Sequence, residues 1–75
     1  MISELDTVVL THSIPEHHLE TGDVGAVVHV YNGGTYEVEF VTGAGKTVAV
    51  LTLTDEDVRA MREREILHAR VLPAS

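Results

Sequence analysis

Cysteine is absent from this 75-residue chain. That excludes disulfide staples, zinc sites built on thiolates and cysteine nucleophiles, and it fits a reducing compartment, so a cytoplasmic location is expected. Long apolar runs are missing too. The longest, such as Val48 to Leu51, are four or five residues, against the roughly 20 a helix needs to cross a bilayer. The opening Met1-Ile2-Ser3-Glu4 has no basic region leading into an apolar stretch and does not read as a secretory signal. Residues 1–45 contain no Lys or Arg, yet carry seven acids: Glu4, Asp6, Glu16, Glu20, Asp23, Glu37 and Glu39. The remaining residues carry five acids and five bases, so the first 45 hold the whole formal net charge of −7. Phosphate backbones repel such a surface, which argues against DNA or RNA as a partner. The acidity serves solubility, or forms a face that meets a basic partner.

A chain of this length makes one domain, expected to span residues 1–75. At this size a domain buries only about 60% of the surface its unfolded chain exposes. Small domains usually need a staple. Without cysteine the choices are very economical packing, a metal site of imidazole and carboxylate, or self-association.

What is present reads as short strands punctuated by turn signals. Leu5–Leu10 is β-rich and opens the domain. A polar connection runs from Thr11 to Gly22, and its Ile14-Pro15 pair demands extended backbone, arguing against a helix there. Val24–Tyr31 is a second strand, Thr35–Val41 a third and Lys46–Leu53 a fourth. Asn32-Gly33-Gly34 and Thr42-Gly43-Ala44-Gly45 supply the hairpin turns between them. Thr54 followed by Asp55, Glu56 and Asp57 is close to a capping box and predicts one short helical turn over residues 55–60. Ile66–Leu72 alternates loosely and is expected to be a last strand.

Strand periodicity divides the faces. Tyr36, Val38 and Phe40 share one side of the third strand, with Glu37 and Glu39 on the other, the pattern of a half-buried strand. The second strand splits into Val24, Ala26, Val28 and Val30 against Gly25, Val27, His29 and Tyr31. The fourth is apolar on both faces: Ala49, Leu51 and Leu53 on one, Val48 and Val50 on the other. A barrel has one interior, so Val27, Tyr31, Val41, Val48 and Val50 are surplus apolar surface. Either the helical turn and the C-terminal segment cover them, or they form an interface.

Candidate chemistry is sparse. His12, His17 and His18 share one connection with Glu16 and Glu20, and imidazole with carboxylate suits zinc or nickel if the side chains converge. Adjacent His17 and His18 diverge in ordinary backbone, which favours a solvated loop. His29, on the face shared with Val27 and Tyr31, reads as an exposed or hydrogen-bonded strand histidine unless that face forms an interface. No serine sits in a nucleophile elbow, and the carboxylate pairs Glu37/Glu39 and Asp55/Asp57 read as an exposed strand face and a cap. Gly43-Ala44-Gly45-Lys46-Thr47 lies between strands and lacks the first glycine of a phosphate loop. Arg59, Arg62 and Arg64 interleave with Glu63 and Glu65 as local ion pairs.

Leu5–Leu10 followed by Ile14-Pro15-Glu16-His17, and Gly22–Val28 running to Tyr36–Phe40, together resemble a family of small bacterial proteins of unassigned function. Val48–Leu53 and Glu65–His68 fit as well, so the resemblance covers nearly the whole chain. The Gly22–Val28 stretch is also similar to SH3-like barrels, among them those of nitrile hydratase β-subunits and KOW-type modules. The resemblance implies an SH3-like barrel and an antitoxin-like or accessory subunit; it brings no catalytic residues. The lack of basic loop residues departs from KOW-type modules.

The expectation is therefore a mostly β domain: an SH3-like barrel of about five strands with one short helical turn. It is expected to be a soluble protein-interaction module rather than an enzyme, with no cofactor, metal, membrane or nucleic acid. Its protein partner, of unstated identity, would meet Glu16 and Glu20 in the loop or the apolar Val27, Tyr31, Val48 and Val50; self-association is the related possibility. The alternative is a metal- or ligand-binding protein using His12, His17 and His18.

Overall fold

The computed structural model describes residues 2–73. Its elements are β1 (Thr7–Leu10), a 3-10 turn (Pro15–His17), β2 (Val24–Tyr31), β3 (Thr35–Val41), β4 (Thr47–Thr54) and β5 (Val58–Ala60). The strands form one antiparallel sheet in the order β4-β3-β2-β1-β5. The fold is mostly β, as the alternation of the sequence requires.

The order places β4 and β5 at opposite edges, yet only Asp55–Asp57 join them. In a flat sheet four strand spacings would separate them by ~19 Å. The four Cα steps from Thr54 to Val58 span at most ~14 Å. The sheet therefore curves strongly on itself, and the concave side holds the core. Val8, Leu10, Val27, Tyr36, Val38, Phe40, Ala49, Leu53 and Val58 fill it, with Leu19 contributed from the first connection.

Three expectations are corrected. Asp55–Asp57 is a turn, not the start of a helix, and Val58–Ala60 is the fifth strand. The capping hydrogen bonds do form: the Thr54 N–H donates to Asp57 Oδ2 at 2.9 Å and the Glu56 N–H to Thr54 Oγ1 at 3.3 Å. They close a tight turn because Val58 is drawn into the core and β5 pairs with β1, with Leu10 opposite Val58. Tertiary pairing overrides the local signal. The helical turn lies instead at Pro15–His17, inside the connection expected to lack one. Proline fits the first position of such a turn, and the extended backbone it requires of the preceding residue is met by Ile14 at φ −125°. Finally, Ile66–Leu72 forms no strand; the chain beyond Ala60 has no regular helix or strand among the described residues.

The inward face of β2 is also not the one expected. Val27 is fully buried at 0% exposure, so it offers no surface, while Ala26 and Val28 point outward. A bulge between Val27 and His29 explains the error. Val27 faces Val38 and His29 faces Glu37, which leaves Val28 as the extra residue. Beyond it the alternation inverts, so Val30 packs against the core opposite Tyr36.

Candidate interaction site

The convex face of β2, β3 and β4 is built of cross-strand rows: Ala26–Glu39–Val50, His29–Glu37–Thr52 and Tyr31–Thr35–Thr54. Large apolar groups stay exposed there, Val28 at 43%, Tyr31 at 45% and Val50 at 46%. Leu5 adjoins them. It is 85% exposed, its N–H donates to the Val27 carbonyl at 2.7 Å, and its backbone is left-handed at φ 71°. That conformation is uncommon for a non-glycine residue.

Carboxylates accept hydrogen bonds across this face. Tyr31 O–H donates to Glu37 Oε1 at 3.2 Å, and Thr52 O–H donates to the same oxygen at 2.9 Å. Thr47 O–H donates to Glu39 Oε2 at 2.7 Å. The Glu37 charge raises the Tyr31 phenol above its ordinary pKa, chiefly through that hydrogen bond. His29 packs edge-on against Tyr31 with ring centroids 4.6 Å apart, and its Nδ1 lies 3.6 Å from Glu4 Oε2. The result is an aromatic and aliphatic surface on β2, separated from Val50 of β4 by Glu37 and Glu39 of β3, with Glu4 beside His29. Such a surface attracts cations by charge and apolar groups by burial.

The expected contact residues are dispersed by the fold. Tyr31 and Val50 share the convex face; Val27 is in the core. Val48 packs partly against the core and lines a cleft of about 680 Å³ between the end of the β3–β4 hairpin and Leu67–Leu72. Glu16 and Glu20 lie in the first connection, both exposed. That connection is closed by paired hydrogen bonds between Ile14 and Leu19, whose buried side chain anchors it.

Arg70 clamps the C-terminal segment to this loop. Its Nε donates to Asp23 Oδ1 at 2.8 Å and an Nη to Asp23 Oδ2 at 2.5 Å, with a further bond to the His18 carbonyl at 2.7 Å. Glu20 Oε2 stands 3.6 Å away. The guanidinium holds the Asp23 carboxyl below its usual range. A second bidentate pair joins Arg59 to Glu65 at 2.7 and 2.6 Å. With the Arg62 N–H also donating, Glu65 is pulled down to about 2.

His12 does not turn toward His17 and His18. Its Nε2 meets Asp57 Oδ1 at 2.7 Å and its Nδ1 meets the Ser13 carbonyl at 3.0 Å. Both partners are acceptors, so the arrangement favours the doubly protonated ring and raises the His12 pKa. Among the described residues no group of three His, Asp or Glu side chains converges as metal ligands. None of their helices is long and apolar enough to cross a membrane.

Leu5, Val28 and the Asp23–Arg70 clamp were not legible in the sequence. The one available signal was the Val27-Val28 doublet, where two like residues interrupt the alternation; nothing local marks Arg70, which is 47 residues from Asp23.

These features define a small all-β domain with an acidic, partly apolar convex face. The chain belongs to the family described as Domain of unknown function (DUF4926), whose model matches residues 4–60. All five strands lie within the match, and the clamped segment lies beyond it. Neither curated proteins nor solved structures give a match.

Proposed function

We propose that this protein is an interaction module whose convex face receives a basic, apolar-flanked segment of a partner protein. The observation that carries this reading is Leu5, Val28 and Tyr31 exposed together beside Glu4 and Glu37, in a half of the chain without a single Lys or Arg. Aromatic and aliphatic anchors supply the buried centre of an interface, and the carboxylates supply steering and register. An accessory or antitoxin-like subunit is the form of module that the family resemblance implies. The return of β5 to β1 and the strong curl of the sheet support an SH3-like reading of the fold.

The test is affinity capture with the tagged chain as bait, comparing the wild type with the double variant Val28→Asp, Tyr31→Ala. A protein held stoichiometrically by the wild type, released by rising salt and lost from the variant, supports the reading, provided circular dichroism shows the variant folded. Identical captured sets with both baits exclude the convex face.

A further inference from the structure

β4 is the long open edge of the sheet. It pairs with β3 alone, and among the described residues no hydrogen bond joins it to the segment beyond Ala60. Open edges are normally blunted by charge, proline, a bulge or shortness. β5, at the other edge, is three residues long and carries Arg59. β4 is eight residues, Thr47–Thr54, with no charged residue, proline or glycine. Its single irregularity is at its start, where Phe40 faces Ala49 and Val41 faces Thr47, leaving Val48 as the extra residue. From Ala49 to Leu53 the edge is regular and unprotected; at Thr54 the N–H already donates to Asp57 Oδ2 and the carbonyl accepts from the Asp57 N–H.

The ends of β4 carry opposite charges. Lys46 precedes it, the one Lys or Arg in the first 58 residues, and Asp55, Glu56 and Asp57 follow it. Among the described residues, neither the Lys46 nor the Glu56 side chain has an ion-pair partner, and both are exposed. An antiparallel neighbour of the same sequence reverses this order. Its acidic end arrives beside Lys46, and its Lys46 beside the acidic turn. A parallel copy would set like charges together.

We propose that a second copy of this chain pairs antiparallel along β4, about a twofold axis, continuing the sheet across two subunits. Register follows from the period of two. Faces match only if Leu51 lies opposite Leu51 of the second copy, or the offset from this is even. With Leu51 on the axis, Val50 faces Thr52, Ala49 faces Leu53, and Lys46 falls against Glu56. Glu39 is then three strand spacings, ~14 Å, from Glu37 of the second copy, beyond the screening length of ~8 Å at physiological salt. The strip is thus the place where two acidic molecules approach without direct repulsion. It is an edge rather than the convex face, so its failure leaves the partner reading standing, and the reverse holds.

Sedimentation equilibrium of the full chain from about 1 μM to 1 mM is the experiment, on the wild type, Lys46→Glu and the charge exchange Lys46→Glu with Glu56→Lys. A closed monomer–dimer equilibrium is expected. The dissociation constant should rise about tenfold in Lys46→Glu, because two symmetric exposed pairs turn repulsive, and return to within about threefold in the exchange. Hydrogen exchange of the wild type on both sides of the midpoint tests the edge without any variant. The β4 amides should gain protection with concentration while β5 does not. A monomer throughout, an open-ended oligomer, a dimer indifferent to Lys46→Glu, or protection gained elsewhere overturns the proposal.

Discussion

Gly25 provides the sharpest test of the packing. It lies on the inward face of β2, opposite Val8 of β1, and it is buried. A Cβ at this position would sit 2.7 Å from Val38 Cγ1 and 2.8 Å from Phe40 Cε1. Carbon contacts are optimal at ~3.5–4.0 Å, so a methyl group cannot enter without moving two core side chains. Overpacking of this kind costs about 1–3 kcal/mol. The lower entropy of the unfolded alanine chain returns about 0.4–1 kcal/mol, for a net loss of ~1–2 kcal/mol in Gly25→Ala. For a domain of this size that corresponds to a melting temperature lower by about 5–15 °C. Gly43 is the control: nothing lies within 4 Å of a Cβ built there, and its φ is outside the left-handed region. Gly43→Ala should be neutral or stabilising by a few tenths of a kcal/mol. Urea unfolding of both variants, followed by circular dichroism, measures the difference. Adding Val38→Ala should restore about 1 kcal/mol relative to the sum of the single changes, since it removes one of the two obstructing groups. If Gly25→Ala is as stable as Gly43→Ala, the concave face is not packed as described.

Two further predictions concern the contacts that tie loops to the sheet. The His12–Asp57 contact holds the first connection to the turn before β5. His12 is raised, chiefly by its hydrogen bond with Asp57, so its contribution is complete below about pH 6.5 and is lost as pH rises through the folded value. Asp57 is lowered, first by His12, so its contribution is complete above its ordinary value of 3.8 and is lost on acidification. The difference in melting temperature between the wild type and His12→Gln should therefore peak between about pH 4.5 and 6 and shrink toward pH 8; a difference independent of pH refutes the ion pair. Arg70→Ala should cost about 1 kcal/mol and release Leu67–Leu72, seen as faster amide exchange there with β1–β4 unchanged; slow exchange retained in that segment means the clamp does not hold it.

Much of the sheet was legible because strand signals are local. Val24–Tyr31 and Thr35–Val41 were bounded as the structure has them, since Asn32-Gly33-Gly34 adopts the turn with Gly33 and Gly34 at φ 79° and 76°. Tyr36, Val38 and Phe40 face the core as their alternation with Glu37 and Glu39 requires. The site was less legible. Tyr31 and Val50 do lie on one exposed face, but Val27, expected among the surplus surface residues, is core, and Val28 is surface. One bulge separates these outcomes, and a bulge is a property of the pairing between two strands. Thr54–Asp57 shows the same limit: the cap chemistry was read correctly, and its continuation was not, because a short helix and a tight turn begin with the same hydrogen bonds.

The sequence by itself determined that this is a small β protein, acidic in its first half, with four strands set by alternation and glycine turns and without cysteine chemistry. Those properties depend on residue type and near spacing. Only the tertiary structure decided where β5 lies, which face of β2 is buried, that Arg70 reaches Asp23, and that β4 is left as an open, uncharged edge. Each of these depends on which distant segments the curled sheet brings together, and the free energy of burying Val58 or Val27 is defined only once those neighbours are in place.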